Sequence, residues 1–294
     1  MLCSCRCQLL AIRYEVVLYF WLGIMRISVI FTTYNSPLWL EKVLWGFHYQ
    51  SDKNFELIIA DDGSAPDTKA CIERFMQQSD LVITHVWQED QGFQKSRIMN
   101  KALLASTCDY VLFTDGDCIP RQDFVQVHKS RAQPGRFLSG GYCKLPMPTS
   151  NLINQQHIQN GQAFYRNWLI ENGVKRSRKL SKLTTLQWKR AIMNSVTPAK
   201  SSWNGHNASG WREDIFAVNG FDERMQYGGQ DRELGERLIN FGVRGVQVRY
   251  SAVCLHLEHD HNYVTPEMLA RNKAIRAETK TQKLTRTAFG IIKD

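Results

Sequence analysis

Tyr110-Val111-Leu112-Phe113-Thr114-Asp115-Gly116-Asp117 is an apolar run that stops at two carboxylates flanking a glycine. Its first five residues read as a buried strand, and the Asp-Gly-Asp that follows reads as a turn just past the strand's carboxyl end. The same rhythm recurs upstream. Ile27–Thr32 is a short β-branched strand, followed by a Thr33-Tyr34-Asn35 loop. Ser36-Pro37 then signals a helix start, with Ser as N-cap and Pro in the first turn. Leu40, Val43, Leu44 and Phe47 continue it at helical spacing. A strand over Phe55–Ala60 ends in Asp61-Asp62-Gly63-Ser64, then come a helix over Thr68–Gln78, a strand over Val82–Val86 and a helix over Gln94–Ser106. This β-α alternation predicts an α/β fold: a mostly parallel sheet flanked by helices. Ligands of such sheets sit at the carboxyl ends of the strands. Tyr34, Asp62, Asp115 and Asp117 all fall there.

Downstream of about residue 140 the rhythm changes. Residues 150–200 are polar and basic, and Lys175, Arg176, Arg178, Lys179, Lys182, Lys189 and Arg190 fall within sixteen residues. Ser209–Asn219 reads as a strand and turn. Asp231–Phe241 reads as a helix with Leu234, Leu238 and Phe241 on one face, and Val246, Val248 and Tyr250 alternate as a strand. From Pro266 the chain reads as a charged helical tail.

Composition sets the outer limits. Of 294 residues, 43% are hydrophobic and 22% charged, enough for a core and too apolar for a disordered chain. A net charge of +9 points to anionic partners. Eight cysteines include no C-x-x-C pair, and Cys3, Cys5 and Cys7 crowd one end. Reduced thiols in a cytoplasmic protein fit better than a disulfide framework or a zinc ribbon. Val16–Met25 is an apolar run of ten residues, half of a membrane span. Met25 reads as a natural start, with residues 1–24 as an upstream extension; the alternative is an amphipathic membrane tether.

Several short stretches offer chemistry. Asp115 and Asp117 suit a shared divalent cation, Mg²⁺ or Mn²⁺, bridging to phosphates; a simple Asx-turn is the plainer reading. Asp62 offers a carboxylate to a base or ribose, and Thr32 and Tyr34 a hydroxyl and a ring to a nucleoside. Lys95 and Arg97 open a helix, where backbone N–H groups also favour a diphosphate. Gly228-Gly229-Gln230-Asp231-Arg232-Glu233 places Asp231 in a helix's first turn, where the dipole holds a carboxylate ionised and ready to accept a proton. His256-Leu257-Glu258-His259-Asp260-His261 could supply a third metal ligand, a zinc site or merely a surface loop.

Taken in order, Thr32-Thr33-Tyr34-Asn35, Asp61–Ser64, Gln91–Asn100, Asp115–Asp117, Asn219–Glu223, Gly228–Glu233 and His256–His259 resemble the family-2 glycosyltransferases of GT-A fold over about residues 25–262. The second half is similar to a galactosyltransferase-type C-terminal region. The resemblance implies one GT-A domain over 25–265, with a nucleotide-binding half (25–118), an acceptor half (119–265) and a helical tail (266–294). It implies inverting transfer from a nucleotide-diphosphate sugar, usually UDP-linked, to an acceptor hydroxyl. Thr32, Tyr34 and Asp62 would hold the nucleoside, Arg97 would approach the diphosphate and Asp115 would meet ribose or metal. Asp117 and His256 would bind Mn²⁺ or Mg²⁺, and Asp231 would be the base. The choice between His256 and His259 stays open. Gln230 stands where relatives often carry Glu, which removes a usual acceptor contact. A saccharide or lipid-linked acceptor of cell-surface polysaccharide or lipopolysaccharide synthesis is expected by analogy. The cations of 175–190, interleaved with Leu180, Leu183, Leu186 and Trp188, suit peripheral contact with an anionic inner membrane face. Two rivals fit less well. A nucleotidyltransferase would want glycine or charge in the Thr33–Ser36 loop. A nucleic-acid binder would want more aromatics among the cations than Trp188.

Overall fold

The computed structural model describes residues 25–260 and 264–293. Ten strands run in chain order: β1 (Ile27–Thr33), β2 (Phe55–Asp61), β3 (Ile83–Trp87), β4 (Tyr110–Asp115), β5 (Cys118–Pro120), β6 (Arg136–Ser139), β7 (Gly141–Lys144), β8 (Ala208–Trp211), β9 (Arg244–Gln247) and β10 (Val253–His256). Seven of them form one sheet in the order β3-β2-β1-β4-β8-β6-β9. β1 pairs parallel with both β2 and β4, β8 runs antiparallel to β4 and β6, and β9 returns parallel to β6.

The pleat decides the packing. Successive side chains of β1 point to opposite faces. Ile27, Val29 and Phe31 meet Leu40, Val43, Leu44 and Phe47 of the Pro37–His48 helix, with the Phe31 and Phe47 rings stacked at 5.7 Å. Ile30 and Ile58 face the other way, onto Ile98, Met99, Ala102 and Leu103 of the Lys95–Ala105 helix. Burial of such a side chain stabilises the fold by about 1.5–3 kcal/mol. Both faces are therefore sealed, and polar groups collect at the strand ends.

A second sheet, β5-β10-β7, pairs β10 antiparallel with β5. This register sets His256 opposite Cys118, and the Leu257 amide donates to the Asp117 carbonyl at 2.9 Å. Residues far apart in the chain thus join at one rim.

Several local readings need correction. Ser36 precedes Pro37 as expected but makes no side-chain cap hydrogen bond. Residues 209–219 hold strand β8 and then a helix, Arg212–Ala217. Leu234 and Leu238 are buried, but Phe241 is 48% exposed at the end of its helix. Tyr250 lies in a turn beyond β9. Leu180 and Leu183 are buried and belong to the core, so neither faces outward with the cations. The expected tail is helical only over Pro266–Thr281; residues 282–293 fold back, and Asn219 donates to the carbonyls of Thr287 and Ile292. Cys71, Cys108, Cys118, Cys143 and Cys254 are free thiols, all buried. Residues 1–24, with Cys3, Cys5, Cys7 and all of the Val16–Met25 run but Met25, and His261 lie outside the described residues. Among the described residues no helix is long and apolar enough to cross a membrane.

Candidate active site

The loops after β1 and β2 are tied together by side chains. Ser64 Oγ accepts from the Asn35 amide at 2.9 Å and Asn35 Oδ1 from the Ala65 amide at 2.8 Å. Asp62 is almost fully buried beside them. Its two oxygens accept from Gln88 Nε2 at 2.7 Å and from the Gln94 amide at 2.9 Å. Burial pushes its carboxyl up to about 6, against these hydrogen bonds. Tyr34, half exposed, donates to Asp90 at 2.9 Å. Thr32, Tyr34 and Asp62 line one cavity of ≈ 540 Å³ together with Asp115, Asp117 and His256.

Asp115 ends β4. Its Oδ1 accepts from Lys95 Nζ at 2.5 Å and from Thr32 Oγ1 at 3.3 Å. Burial alone would lower the Lys95 ammonium, but Asp115, with Asp117 and Asp231 beyond, holds it well above its ordinary value. Gly116 turns the chain against β1: its amide donates to Thr32 O at 2.8 Å, and a Cβ there would lie 2.6 Å from that oxygen. No side chain fits between Asp115 and Asp117.

Asp117 Oδ2 lies 3.0 Å from His259 Nε2 and 3.9 Å from His256 Nε2. Burial would raise its carboxyl, yet the two imidazoles and Lys95 hold it well below the usual range. Asp117 in turn raises His259. The two rings differ in what they can offer. His256 Nδ1 sits 2.9 Å from the Leu257 carbonyl, which keeps the proton there and leaves a lone pair on Nε2. His259 has an oxygen at both nitrogens.

Asp117, Cys118 and His256 bring one donor atom each within 4.8 Å of one another. Burial pushes the Cys118 thiol up, and it donates to Asp117 Oδ1 at 3.3 Å, so here the thiol is engaged with the carboxylate. What remains is a carboxylate and an imidazole lone pair. That is a hard-to-borderline set, closer to Mn²⁺ than to Mg²⁺, whose sites are built from oxygen.

A second cavity of ≈ 730 Å³ lies on the other side of the Lys95–Asp115 pair and is lined by Asp231, Asn204, Gly205 and His206. Lys95, Asp115, Tyr227 and Gln230 line both cavities. Asp231 opens the Gln230–Phe241 helix behind Gly228 and Gly229, both at positive φ, which other residues adopt with strain. Its Oδ2 accepts from the Gly205 amide at 2.9 Å. Glu233 faces elsewhere: its carboxylate grips Arg237 at 2.7 and 2.8 Å and accepts from Thr279 at 2.9 Å, all buried.

The rim therefore collects Thr32, Tyr34, Asp62, Asp115, Asp117, Asp231 and His256. Arg97 is placed apart. It is exposed, contacts Gln91 at 3.3 Å and lines neither cavity; Lys95, two residues earlier, occupies the centre. His206 was not anticipated from sequence. Its segment, Asn204-Gly205-His206-Asn207, is a turn between weakly patterned stretches, and only the glycine among polar residues hinted at it. Burial takes the His206 imidazole down to about 4, against the pull of Asp115 and Asp231.

The family model for glycosyl transferase family 2 matches residues 28–185. The glycosyltransferase YfnE of Bacillus subtilis (strain 168) is 26% identical over 287 residues, covering 85% of this chain and 69% of YfnE. Among solved structures, the mannosyltransferase PcManGT of Pyrobaculum calidifontis, in complex with GDP-Man and Mn²⁺, superposes with a TM-score of 0.56 at 22% identity, over 81% of this chain and 58% of that one. S. aureus TarS 1–349 in complex with UDP-GlcNAc gives 0.58 at 16% identity, over 86% and 66%. At these identities the solved structures speak to the fold, which is GT-A. The chain thus spans less than two thirds of either solved relative.

Proposed function

Because the chain belongs to glycosyl transferase family 2, we propose that it is an inverting glycosyltransferase using a nucleotide-diphosphate sugar, UDP-linked for preference, and an acceptor hydroxyl. One observation carries this reading: Asp117 and Asp231 line separate cavities that meet at Lys95 and Asp115. A donor in the smaller cavity and an acceptor in the larger one would meet at that pair from opposite sides. Solved GT-A relatives hold GDP-Man with Mn²⁺ and UDP-GlcNAc, which supports the donor class. In this reading residues 25–118 form the donor half and 119–265 the acceptor half.

Asp62, Thr32 and Tyr34 hold the nucleoside. Asp117 and His256, with His259 beside them, would hold a divalent ion of the Mn²⁺ type, which when bound neutralises charge on the leaving diphosphate. Lys95 adds a fixed cation next to Asp115. Asp231 takes the proton of the acceptor hydroxyl as its oxygen bonds the anomeric carbon and the carbon–diphosphate bond breaks. The nucleoside diphosphate leaves with that bond's electron pair, and no sugar–enzyme bond forms.

The acceptor is a saccharide or lipid-linked glycan of the cell surface, and the enzyme works at an anionic membrane. Lys175, Arg176, Arg178, Lys179 and Lys189 are exposed. Lys182 and Arg190 instead turn inward, to the Tyr142 carbonyl and to Asp123. The adjoining Gln187–Val196 helix buries no residue, and Trp188, Ile192 and Val196 form an exposed stripe, 65%, 51% and 66% accessible. An apolar stripe beside cations matches an anionic lipid surface. A panel of nucleotide sugars with Mn²⁺, scored by diphosphate release and thermal shift, tests the activity. A protein that neither binds nor turns over any of them is not a glycosyltransferase of this kind.

A further inference from the structure

Three residues in the wall of the larger cavity each carry a buried polar atom without a hydrogen-bond partner: Asn204 Oδ1, Gln247 Oε1 and Arg249 Nε. Buried polar atoms are nearly always satisfied, so unpaired ones on three residues of one cavity wall call for a complement. The two amide orientations are fixed by their neighbours. Gln247 Nε2 donates to the Lys200 carbonyl at 2.9 Å. Asn204 Nδ2 donates to Ser139 Oγ at 3.2 Å, whose own hydrogen goes to the Ser202 carbonyl. The unpaired atoms are therefore two acceptors and one cationic donor.

The charge around them points the same way. Lys200, Arg249 and Lys273 line this cavity, and none of the three has a carboxylate partner among the described residues. Arg276, also in the wall, is by contrast neutralised by Glu236 at 2.5 Å. Asp115 and Asp231 also line it, and in the proposed reading Asp231 meets the hydroxyl to be deprotonated, so the unpaired cations serve a different part of the ligand. Two acceptor oxygens want hydroxyl donors, and a buried guanidinium N–H wants an anion.

We propose that the acceptor is an anionic saccharide, a sugar carrying a phosphate or carboxylate, and that Arg249 with Lys200 holds its anionic group while Asn204 and Gln247 accept from its hydroxyls. The proposal rests on the glycosyltransferase reading above, since it names the acceptor of that site. Arg249 is a specificity residue here, not a catalytic one.

Ligand-observed NMR with the full-length protein, UDP and Mn²⁺ tests it, using glucose, glucose 6-phosphate, glucuronic acid and inorganic phosphate as probes. One of the two anionic sugars, at least, should bind about tenfold more tightly than glucose, the size of one charge-assisted hydrogen bond. Arg249→Gln should abolish that difference while UDP binds as to the wild type, which also shows that the variant folds. Which anionic sugar gains tells phosphate from carboxylate. Equal binding of glucose and both acids overturns the proposal, as does discrimination that survives in Arg249→Gln. Inorganic phosphate binding as tightly as the better sugar acid would reduce the site to an anion hole and overturn the saccharide assignment. Loss of UDP binding by the wild type would instead sink the nucleotide-sugar reading, a separate failure.

Discussion

Lys95 Nζ lies 2.5 Å from Asp115 Oδ1, and this ion pair forms the wall shared by the two cavities. The carboxylates of Asp117 and Asp231 flank it from separate sides. The proposed division of labour puts a cation-binding carboxylate on one side and a proton acceptor on the other, and each part can be tested separately.

The base is tested by a pair of isosteric variants. Asp231→Asn should bind nucleotide sugar almost normally and lose about 10²–10⁴ in turnover, the usual worth of a general base. Glu233→Gln should break a fully buried ion pair with Arg237 and lower stability by about 3–5 kcal/mol. Steady-state kinetics with thermal melts separates the two. Wild-type turnover in Asp231→Asn, with a dead but well-folded Glu233→Gln, would assign the base to Glu233.

Asp117→Ala should remove the Mn²⁺ dependence of UDP binding while the fold survives, because Asp117 Oδ2 is the carboxylate oxygen 3.0 Å from His259 Nε2 and 3.9 Å from His256 Nε2. Calorimetric titration of UDP with and without Mn²⁺ reads this out. Unchanged Mn²⁺ dependence in the variant would move the metal elsewhere.

Asp62 gives a pH signature with two opposite slopes. Its carboxyl stands at about 6 in the fold, above its unfolded value of about 3.9. The folded chain therefore binds the proton more tightly, and this group adds stability as pH falls from 6 toward 4. A nucleoside N–H prefers the ionised form, so UDP affinity should fall about tenfold per pH unit below 6. Asp90 and Lys95 are the charged neighbours that modulate it. Asp62→Asn should flatten the affinity profile between pH 5 and 7; a slope unchanged in that variant would assign the titration to another group.

For the membrane face, replacing Trp188, Ile192 and Val196 by Ser should reduce co-sedimentation with phosphatidylglycerol vesicles without affecting UDP binding, since no residue of that helix is buried. Binding to neutral vesicles as strong as to anionic ones, or to neither, would remove the proposed contact.

Much of the rim was legible because strand ends are marked twice, by the stop of an apolar run and by the turn chemistry that follows. β1, β2 and β4, with Tyr34 after the first and Asp62 and Asp117 after the other two, come directly from that signal. Helix faces were harder. Residues 95 and 97 sit about 200° apart around a helix, so only one can look at Asp115, and both are cationic; the chain uses Lys95 and leaves Arg97 outside. The same geometry separates Asp231 from Glu233. Leu180 and Leu183 show a third limit. In a six-residue 3₁₀ segment, Arg178–Leu183, nothing local tells an inward leucine from an outward one. The open polar atoms of Asn204, Gln247 and Arg249 had no local signal either, because they meet only through tertiary contacts.

The β4–β8 pairing also bears on how the chain is made. β4 ends at Asp115 and its neighbour β8 begins at Ala208, so β4 leaves the ribosome about 90 residues before its partner. At about 5–20 residues per second that is a wait of about 5–20 s. Throughout it, a strand apolar over Val111–Phe113 presents unpaired N–H and C=O groups along one side, the arrangement that seeds edge-to-edge association. A fragment ending near residue 118 would keep that bare edge permanently and should partition into inclusion bodies to a greater extent than the intact chain.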